Sequence, residues 1–198
     1  MVFMASKSSA QRIELTKNQL IFLSALSILI IAVYLADTYA PKPVYSYDYF
    51  GIPLNFRADL REASKVQIYP SETIIYYELR GGLAKNITIV FLPVEGDNGI
   101  YSANGYEVAY KLGLLFNLLG KNVTINAMNV TSYDNLPGKI QHPIIALVHP
   151  KYSTETSVSL VGHVIRISGL PSNDARTPYR NLDLATVKFL MVILGIEV

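Results

Sequence analysis

The residues best able to bind a ligand or transfer a proton stand in two groups, each shortly after an apolar run of strand length. The first group holds Glu95 and Asp97, and the second holds His149, Lys151 and Tyr152. Ligands of open α/β sheets bind beyond the carboxyl ends of parallel strands, so two parallel strands here would bring both groups to one edge. Carboxylate, imidazole and amine groups gathered there would bind a polar ligand or act as acid and base. Without a ligand, the first group would simply belong to a solvated turn, and His149-Pro150 would simply end a strand. The ligand-binding interpretation and this structural one both stay open.

Metal, phosphate and nucleophile motifs are not found in the sequence. His142 and His149 bracket one predicted strand, which at ~3.3 Å per residue holds them about 20 Å apart, too far to share an ion. The sequence has no HExxH, GxGxxG, GxSxG or SxxK motif. We therefore expect no metal and no cofactor. A Ser/His/Asp triad assembled from distant parts of the chain keeps a hydrolase among the alternatives.

An uncharged apolar run covers residues 20–36 and is predicted to form a transmembrane signal-anchor helix. Its seventeen residues would give a helix of roughly 25 Å, close to the ~30 Å hydrocarbon core of a bilayer. Lys7, Arg12 and Lys17 precede the run, whereas only Lys42 follows within a similar distance. The positive-inside rule therefore predicts a cytoplasmic N-terminus and a C-terminal domain outside the cell membrane. A cleaved signal peptide is the main alternative.

This anchor divides the chain into four predicted segments. They are a cytoplasmic basic tail (1–18), the transmembrane helix (19–37), a spacer rich in Pro and Tyr (38–50) and a single extracytoplasmic domain (51–198). A domain of that length can bury a core of its own. The chain has no cysteine, which excludes disulfides, thiolate metal sites and cysteine nucleophiles.

Charge is nearly balanced over the whole chain. Its formal net charge is only +2, and the basic residues are not clustered, so a nucleic-acid partner is not expected. The expected partners are membrane lipid, through residues 20–36, and a protein partner or a second copy of the chain. Three N-x-T sequons, at Asn86, Asn122 and Asn129, are candidate glycosylation sites in an outward-facing domain.

Hydrophobic periodicity predicts an α/β domain. Strands are predicted at 52–60, 66–69, 86–92, 122–128 and 143–148, a hairpin turning at Gly162-His163 at 156–168, and helices at 71–80, 104–119 and 184–194. Residues 71–80 are also rich in strand formers, so a strand is the alternative for that segment. Asn104 with Glu107 forms a capping box for the middle helix, and Asp183 is a plausible N-cap for the last. The strand, helix and strand from residue 86 make a βαβ unit. The fold class predicted is α/β, with a mixed sheet and about three helices, preceded by one transmembrane helix.

Two stretches, residues 51–72 and the segments 162–169 with 182–196, resemble uncharacterised archaeal proteins. Those proteins have one N-terminal membrane helix and an extracytoplasmic α/β domain. The resemblance implies location and architecture, and it supplies no catalytic residues.

Three functions remain in order of preference. The first is a non-enzymatic interaction or structural module of the cell surface or of a membrane complex. The second is a sensor-like ectodomain that binds a ligand at Glu95, Asp97, His149 and Lys151. The third is a membrane-anchored hydrolase, and an enzyme is therefore the less favoured class.

Overall fold

A computed structural model of the chain describes Ser27 and residues 45–81, 85–96, 98–133, 143–174 and 177–198. The chain divides into two compact units, Met1–Pro43 and Val44–Val198. The predicted transmembrane segment 20–36 lies outside the described residues, apart from Ser27. Within the described ranges, no helix has both the length and the apolar character that a membrane crossing requires.

The second unit contains eight strands and four helices in its described ranges. The strands are β1 (Tyr45–Tyr49), β2 (Ile52–Phe56), β3 (Gln67–Tyr69), β4 (Asn86–Phe91), β5 (Thr124–Asn129), β6 (Ile144–Val148), β7 (Ser157–Val161) and β8 (Val164–Ser168). The helices are α1 (Leu60–Ala63), α2 (Glu72–Arg80), α3 (Asn98–Leu118) and α4 (Arg180–Leu194), and a 3₁₀ turn covers Pro150–Tyr152.

Six of the strands form a mixed sheet in the order β3-β7-β8-β6-β4-β5, and β1 pairs with β2 in a separate hairpin. Strands β5, β4, β6 and β8 run parallel, while β7 and β3 run in the opposite direction. The predicted βαβ unit is confirmed as β4-α3-β5. The predicted hairpin is confirmed as β7-β8, whose turn places Gly162 at a φ of 63°.

The two faces of the sheet are covered differently. On the first face, Ile89, Leu147 and Ile167 belong to the main core together with buried residues of the helices. On the second face, Val90 and Ala146 belong to a smaller apolar cluster. Because side chains alternate along a strand, the two sets come from neighbouring positions of the same strands. The described helices thus pack on the first face, which leaves the second face for other contacts.

Helix α4 is buried on nearly all sides, and its second half, residues 189–194, is apolar all round. It contacts β7 and β8 on one side and α1, α2 and α3 on the others. Two of its last carbonyls accept long-range hydrogen bonds, that of Leu194 from Tyr49 Oη at 3.1 Å and that of Ile193 from Arg80 Nη1 at 3.2 Å. Gly195, at a φ of 71°, ends the helix in the left-handed conformation.

Three element boundaries predicted from the sequence are wrong. The strand predicted at 52–60 ends at Phe56, because Asp59 Oδ1 accepts hydrogen bonds from the amides of Arg61 and Glu62 and so caps α1. This cap adds a fourth helix to the three expected. Helix α4 begins at Arg180, which puts Asp183 in its first turn and not at its N-cap.

The third wrong boundary is the start of α3. This helix begins at Asn98, so Asn104 and Glu107 are buried inside it and form no capping box. Glu107 has a partner one turn later, since its Oε1 lies 2.5 Å from Lys111 Nζ. Glu107 therefore pairs with Lys111 inside the helix, and the capping box that Asn104 and Glu107 suggest does not mark its start.

Glu107 and Lys111 are the only charged residues of α3, and both are buried. Lys111 Nζ also donates to the carbonyl of Asn55 at 2.7 Å and lies 4.2 Å from the ring centroid of Phe56. Burial lowers the pKa of Lys111, an effect that Glu107 opposes. The pair thus fastens α3 to the β1-β2 hairpin.

Replacing only one member of this pair should destabilise the protein strongly. Lys111→Met leaves the Glu107 carboxylate buried without its cation, so we expect a loss of about 3–5 kcal/mol in the free energy of unfolding. Lys111→Met combined with Glu107→Leu should cost less than Lys111→Met alone. Chemical denaturation of the full chain measures both values.

The exposed pair Arg180–Glu62, at 2.6 Å, is the matched control. Because solvent screens it, Arg180→Met should cost less than about 1 kcal/mol. A Lys111→Met variant as stable as Arg180→Met would contradict the role given to the buried pair.

Candidate functional site

A polar cavity of about 390 Å³ opens on the second face of the sheet. Leu92, Val148 and Ser168 place it at the carboxyl ends of the parallel strands β4, β6 and β8, and we call it the carboxyl-edge cavity. Twelve described residues line it, and eight of them carry a hydroxyl group: residues 131–133 and 152–154, Ser159 and Ser168. Its lining is therefore rich in groups that both donate and accept hydrogen bonds.

Arg166 brings a positive charge to this cavity from the sheet itself. In the strand register it lies between Ala146 of β6 and Ser159 of β7. Both neighbours are small, which leaves space beside the half-buried arginine. Among the described lining residues, the other charged one is Glu155, whose Oε1 accepts a hydrogen bond from Ser157 Oγ at 2.8 Å.

Tyr133 holds one wall of the cavity against the sheet. Its hydroxyl accepts a hydrogen bond from the amide of Leu92, at 3.0 Å, and donates one to the carbonyl of Leu147. One side chain thus joins the ends of β4 and β6. Burial raises the pKa of the Tyr133 hydroxyl, which keeps it protonated and able to donate.

The opposite wall, residues 152–154, is held by the end of β6. Ser153 Oγ donates to the carbonyl of His149 at 3.2 Å, and the amide of Lys151 donates to His149 Nδ1 at 2.9 Å. These side-chain bonds fix the two ends of the 3₁₀ turn that follows the strand, and the turn itself is formed by backbone bonds from Tyr152 to His149 and from Ser153 to Pro150. Both walls are therefore positioned by the regular sheet and not by free loops.

The arrangement suits a small anion that also accepts or donates several hydrogen bonds. A guanidinium group offers a planar fork of donors that matches carboxylate and phosphate oxygens. The surrounding hydroxyls can bind further oxygens of the same ligand. Only Leu92 and Val148 supply larger apolar side chains to the lining, so a mainly apolar ligand would gain little from the site.

The sequence located this edge of the sheet but did not identify most of its residues. β4 and β6 are parallel, as the predicted site required. Tyr152 lines the cavity, whereas Glu95, His149 and Lys151 are not among its lining residues, and Asp97 lies outside the described residues. The ligand-binding roles given to these four residues stay predictions.

His149 is buried beside the cavity wall, and its ring has structural contacts. Nδ1 accepts from the amide of Lys151, and Nε2 lies 3.5 Å from Tyr179 Oη. Glu95 and Lys151 are both exposed. Within the described part of the chain, no three His, Asp or Glu side chains are close enough to hold a metal ion.

Sequence reasoning missed Arg166, although the hairpin carries a signal for it. Ser157 and Ser159 on β7, and Arg166 and Ser168 on β8, alternate with apolar residues and so share one face. A polar face on two strands in the interior of a sheet is unusual and indicates a candidate binding site. The three sequon asparagines, Asn86, Asn122 and Asn129, are all exposed.

Comparison with known proteins assigns no family. No protein-family model, no curated protein and no solved structure matches the chain. Function is therefore inferred from the cavity and from the amino-acid sequence.

Removing the Tyr133 hydroxyl should lower the free energy of unfolding, by an amount that depends on pH. At pH 8, Tyr133→Phe should cost about 1–3 kcal/mol, because the Leu92 amide and the Leu147 carbonyl lose their partner. The folded-state pKa is raised above the unfolded value of about 10, so this stabilisation is present below pH 10 and is lost as pH rises through the folded pKa. Denaturation of the full chain between pH 8 and 11 measures the difference.

Tyr152→Phe is the matched control, because Tyr152 lines the same cavity with an exposed side chain. We expect it to change stability by less than about 0.5 kcal/mol. A Tyr133→Phe variant that is as stable as wild type at pH 8 would show that the hydroxyl does not join the strands.

Proposed function

We propose that this chain is a membrane-anchored, non-enzymatic binding module whose α/β unit binds a small hydroxylated anion in the carboxyl-edge cavity. The observation that carries this proposal is Arg166, a half-buried arginine on a sheet strand within a lining of hydroxyl groups. A half-buried guanidinium attracts an anion more strongly than an exposed one does, because less water screens the two charges.

The choice of an anion over a cation or an apolar molecule rests on the charges of the lining. The Glu155 carboxylate is exposed, so water screens its charge, whereas the Arg166 guanidinium is half-buried. The guanidinium of Arg166 has five donors, so a ligand oxygen pair fits its fork while leaving other donors for the protein. Phosphate monoesters, sugar acids and hydroxy acids have this combination of anionic group and hydroxyls.

Binding without chemical conversion is favoured over hydrolysis. A serine nucleophile needs a base beside it, most often an imidazole. Among the described residues, no histidine lines the cavity, and the nearby His149 ring contacts Lys151 and Tyr179. The hydroxyl groups of the cavity therefore act, in this proposal, as hydrogen-bonding groups.

Membrane attachment is the second part of the proposal and rests on the sequence. Residues 20–36 would anchor the chain in the cell membrane, and the positive charges before them would keep the α/β unit outside. A ligand-binding unit in that location would sample small molecules outside the cell. A protein partner, expected for the alternative of an interaction module, would then receive the signal.

Anion binding should depend on Arg166. Isothermal titration of the full chain with inorganic phosphate, glucose 6-phosphate, gluconate and citrate should reveal binding of at least one of them. Arg166→Met should weaken that binding about 10- to 100-fold, since a charge-assisted hydrogen bond contributes about 1.5–3 kcal/mol.

Arg61→Met is the control for the change in net charge, because Arg61 is exposed on α1. It should leave binding unchanged. The proposal fails if none of the four anions binds the wild-type chain, or if the Arg166→Met and Arg61→Met variants bind equally well.

Charged residues in the middle of the anchor should release the chain from the membrane. Each arginine at the centre of a transmembrane helix costs about 2.5–3.5 kcal/mol on an insertion scale, so Leu29→Arg with Ile31→Arg should move the chain out of the membrane fraction. Sedimentation after an alkaline carbonate wash measures the distribution. Ser8→Arg with Ser9→Arg, in the tail, should leave it unchanged. Release of the wild-type chain by the wash would contradict the anchor.

A further inference from the structure

Among the residues that the structure describes, nothing gives the edge strand β5 the protection that exposed strands usually have. It is the last strand of the six-stranded sheet as described, and five of its six residues are exposed. From Asn122 to Tyr133 the chain contains no charged residue and no proline. Natural edge strands are commonly protected by lysine, by proline, by a bulge or by a covering segment.

Such an edge favours pairing with another chain. Among the described residues, the outer side of β5 has no strand partner, and it offers backbone N–H and C=O groups along six residues, the usual length of a strand. An uncharged, exposed strand of this kind is a template for edge-to-edge association. A second copy of this chain could pair with it in an antiparallel arrangement that leaves identical faces continuous. Something must therefore cover this edge if the α/β unit is not to pair with a second copy.

Two of the three sequons lie at the two ends of this same strand. Asn122 stands two residues before β5 begins, and Asn129 is its last residue. Their seven-residue separation corresponds to about 23 Å along an extended chain. Both asparagines are exposed, as is Thr124, the third residue of the first sequon.

The third sequon occupies a different position. Asn86 is the first residue of β4 and pairs in register with Thr124, so it lies one strand in from the edge. Asn86 is exposed at the amino end of β4. A glycan there would not stand at either end of the unpaired edge, which makes Asn86 an internal control.

We propose that N-linked glycans on Asn122 and Asn129 shield the β5 edge and prevent it from pairing with a second copy of the chain. A partner strand of six residues would have to run past both branched, hydrated sugars, and their bulk would block its approach. This proposal rests on the outward location that the proposed function assigns to the α/β unit, and it does not depend on the carboxyl-edge cavity.

The modification is a glycosyl transfer from a lipid-linked sugar diphosphate, catalysed by a membrane oligosaccharyl transferase. The side-chain amide nitrogen of the asparagine forms a bond to the anomeric carbon of the sugar. The bond from that carbon to the diphosphate oxygen breaks, and the lipid diphosphate leaves with the electron pair. The amide nitrogen loses one proton to a base of the transferase.

The first measurement is glycopeptide mass spectrometry of the full chain purified from its own membranes. We expect sugar mass on Asn122 and Asn129. Digestion of intact cells with an added protease reports separately whether the α/β unit lies outside. Unmodified Asn122 and Asn129 on an externally accessible unit would overturn the glycan proposal while leaving anion binding in place. A unit protected from the protease would overturn the outward location and the glycans together.

The second measurement is the molar mass of variants by light scattering after gel filtration. Asn122→Gln with Asn129→Gln should shift from the wild-type mass to at least twice that mass, whereas Asn86→Gln should keep the wild-type assembly. Adding Ala127→Lys to the double variant should restore the wild-type mass, because a charge at the exposed edge opposes pairing. A double variant that keeps the wild-type mass, or an enlarged assembly that Ala127→Lys does not reverse, would overturn the shielding.

Discussion

The nearly complete burial of α4 is the constraint on which the rest of the second unit depends. The second half of α4, residues 189–194, is apolar around its whole circumference and must be covered on every side. The sheet covers one side through β7 and β8, and three other helices cover the remainder. Tyr49 on β1 and Arg80 on α2 donate hydrogen bonds to two of its last carbonyl groups. One helix therefore determines where the hairpin, α1, α2 and α3 lie.

This one-sided arrangement explains where polar chemistry is found. The described helices gather on the face of the sheet that contains α4, so the opposite face carries less apolar packing. Arg166, Ser159 and Ser168 occupy positions of β7 and β8 that point to this opposite face. A polar cavity can form there without interrupting the main core. The architecture thus separates the residues that stabilise the unit from those available to a ligand.

Local sequence patterns predicted the βαβ unit, the β7-β8 hairpin and the helix at 72–80, because each signal lies within one element or its neighbours. The starts of α3 and α4 were not predictable in the same way. Glu107 is held by Lys111 and by the core around it, information that a capping pattern does not contain. The residues of the cavity could not be predicted either, because the order of the strands in the sheet brings them together. Only the placement of β8 between β6 and β7 puts Arg166 beside Ala146, and no local pattern specifies that pairing.

The Tyr133 bridge between β4 and β6 makes one backbone amide an intrinsic reporter of the cavity. The Leu92 amide donates to the Tyr133 hydroxyl and not to a neighbouring strand. Its exchange with deuterated solvent therefore requires residues 131–133 to detach from the sheet. The rate of that exchange measures how often the wall opens, in the intact protein and without any label.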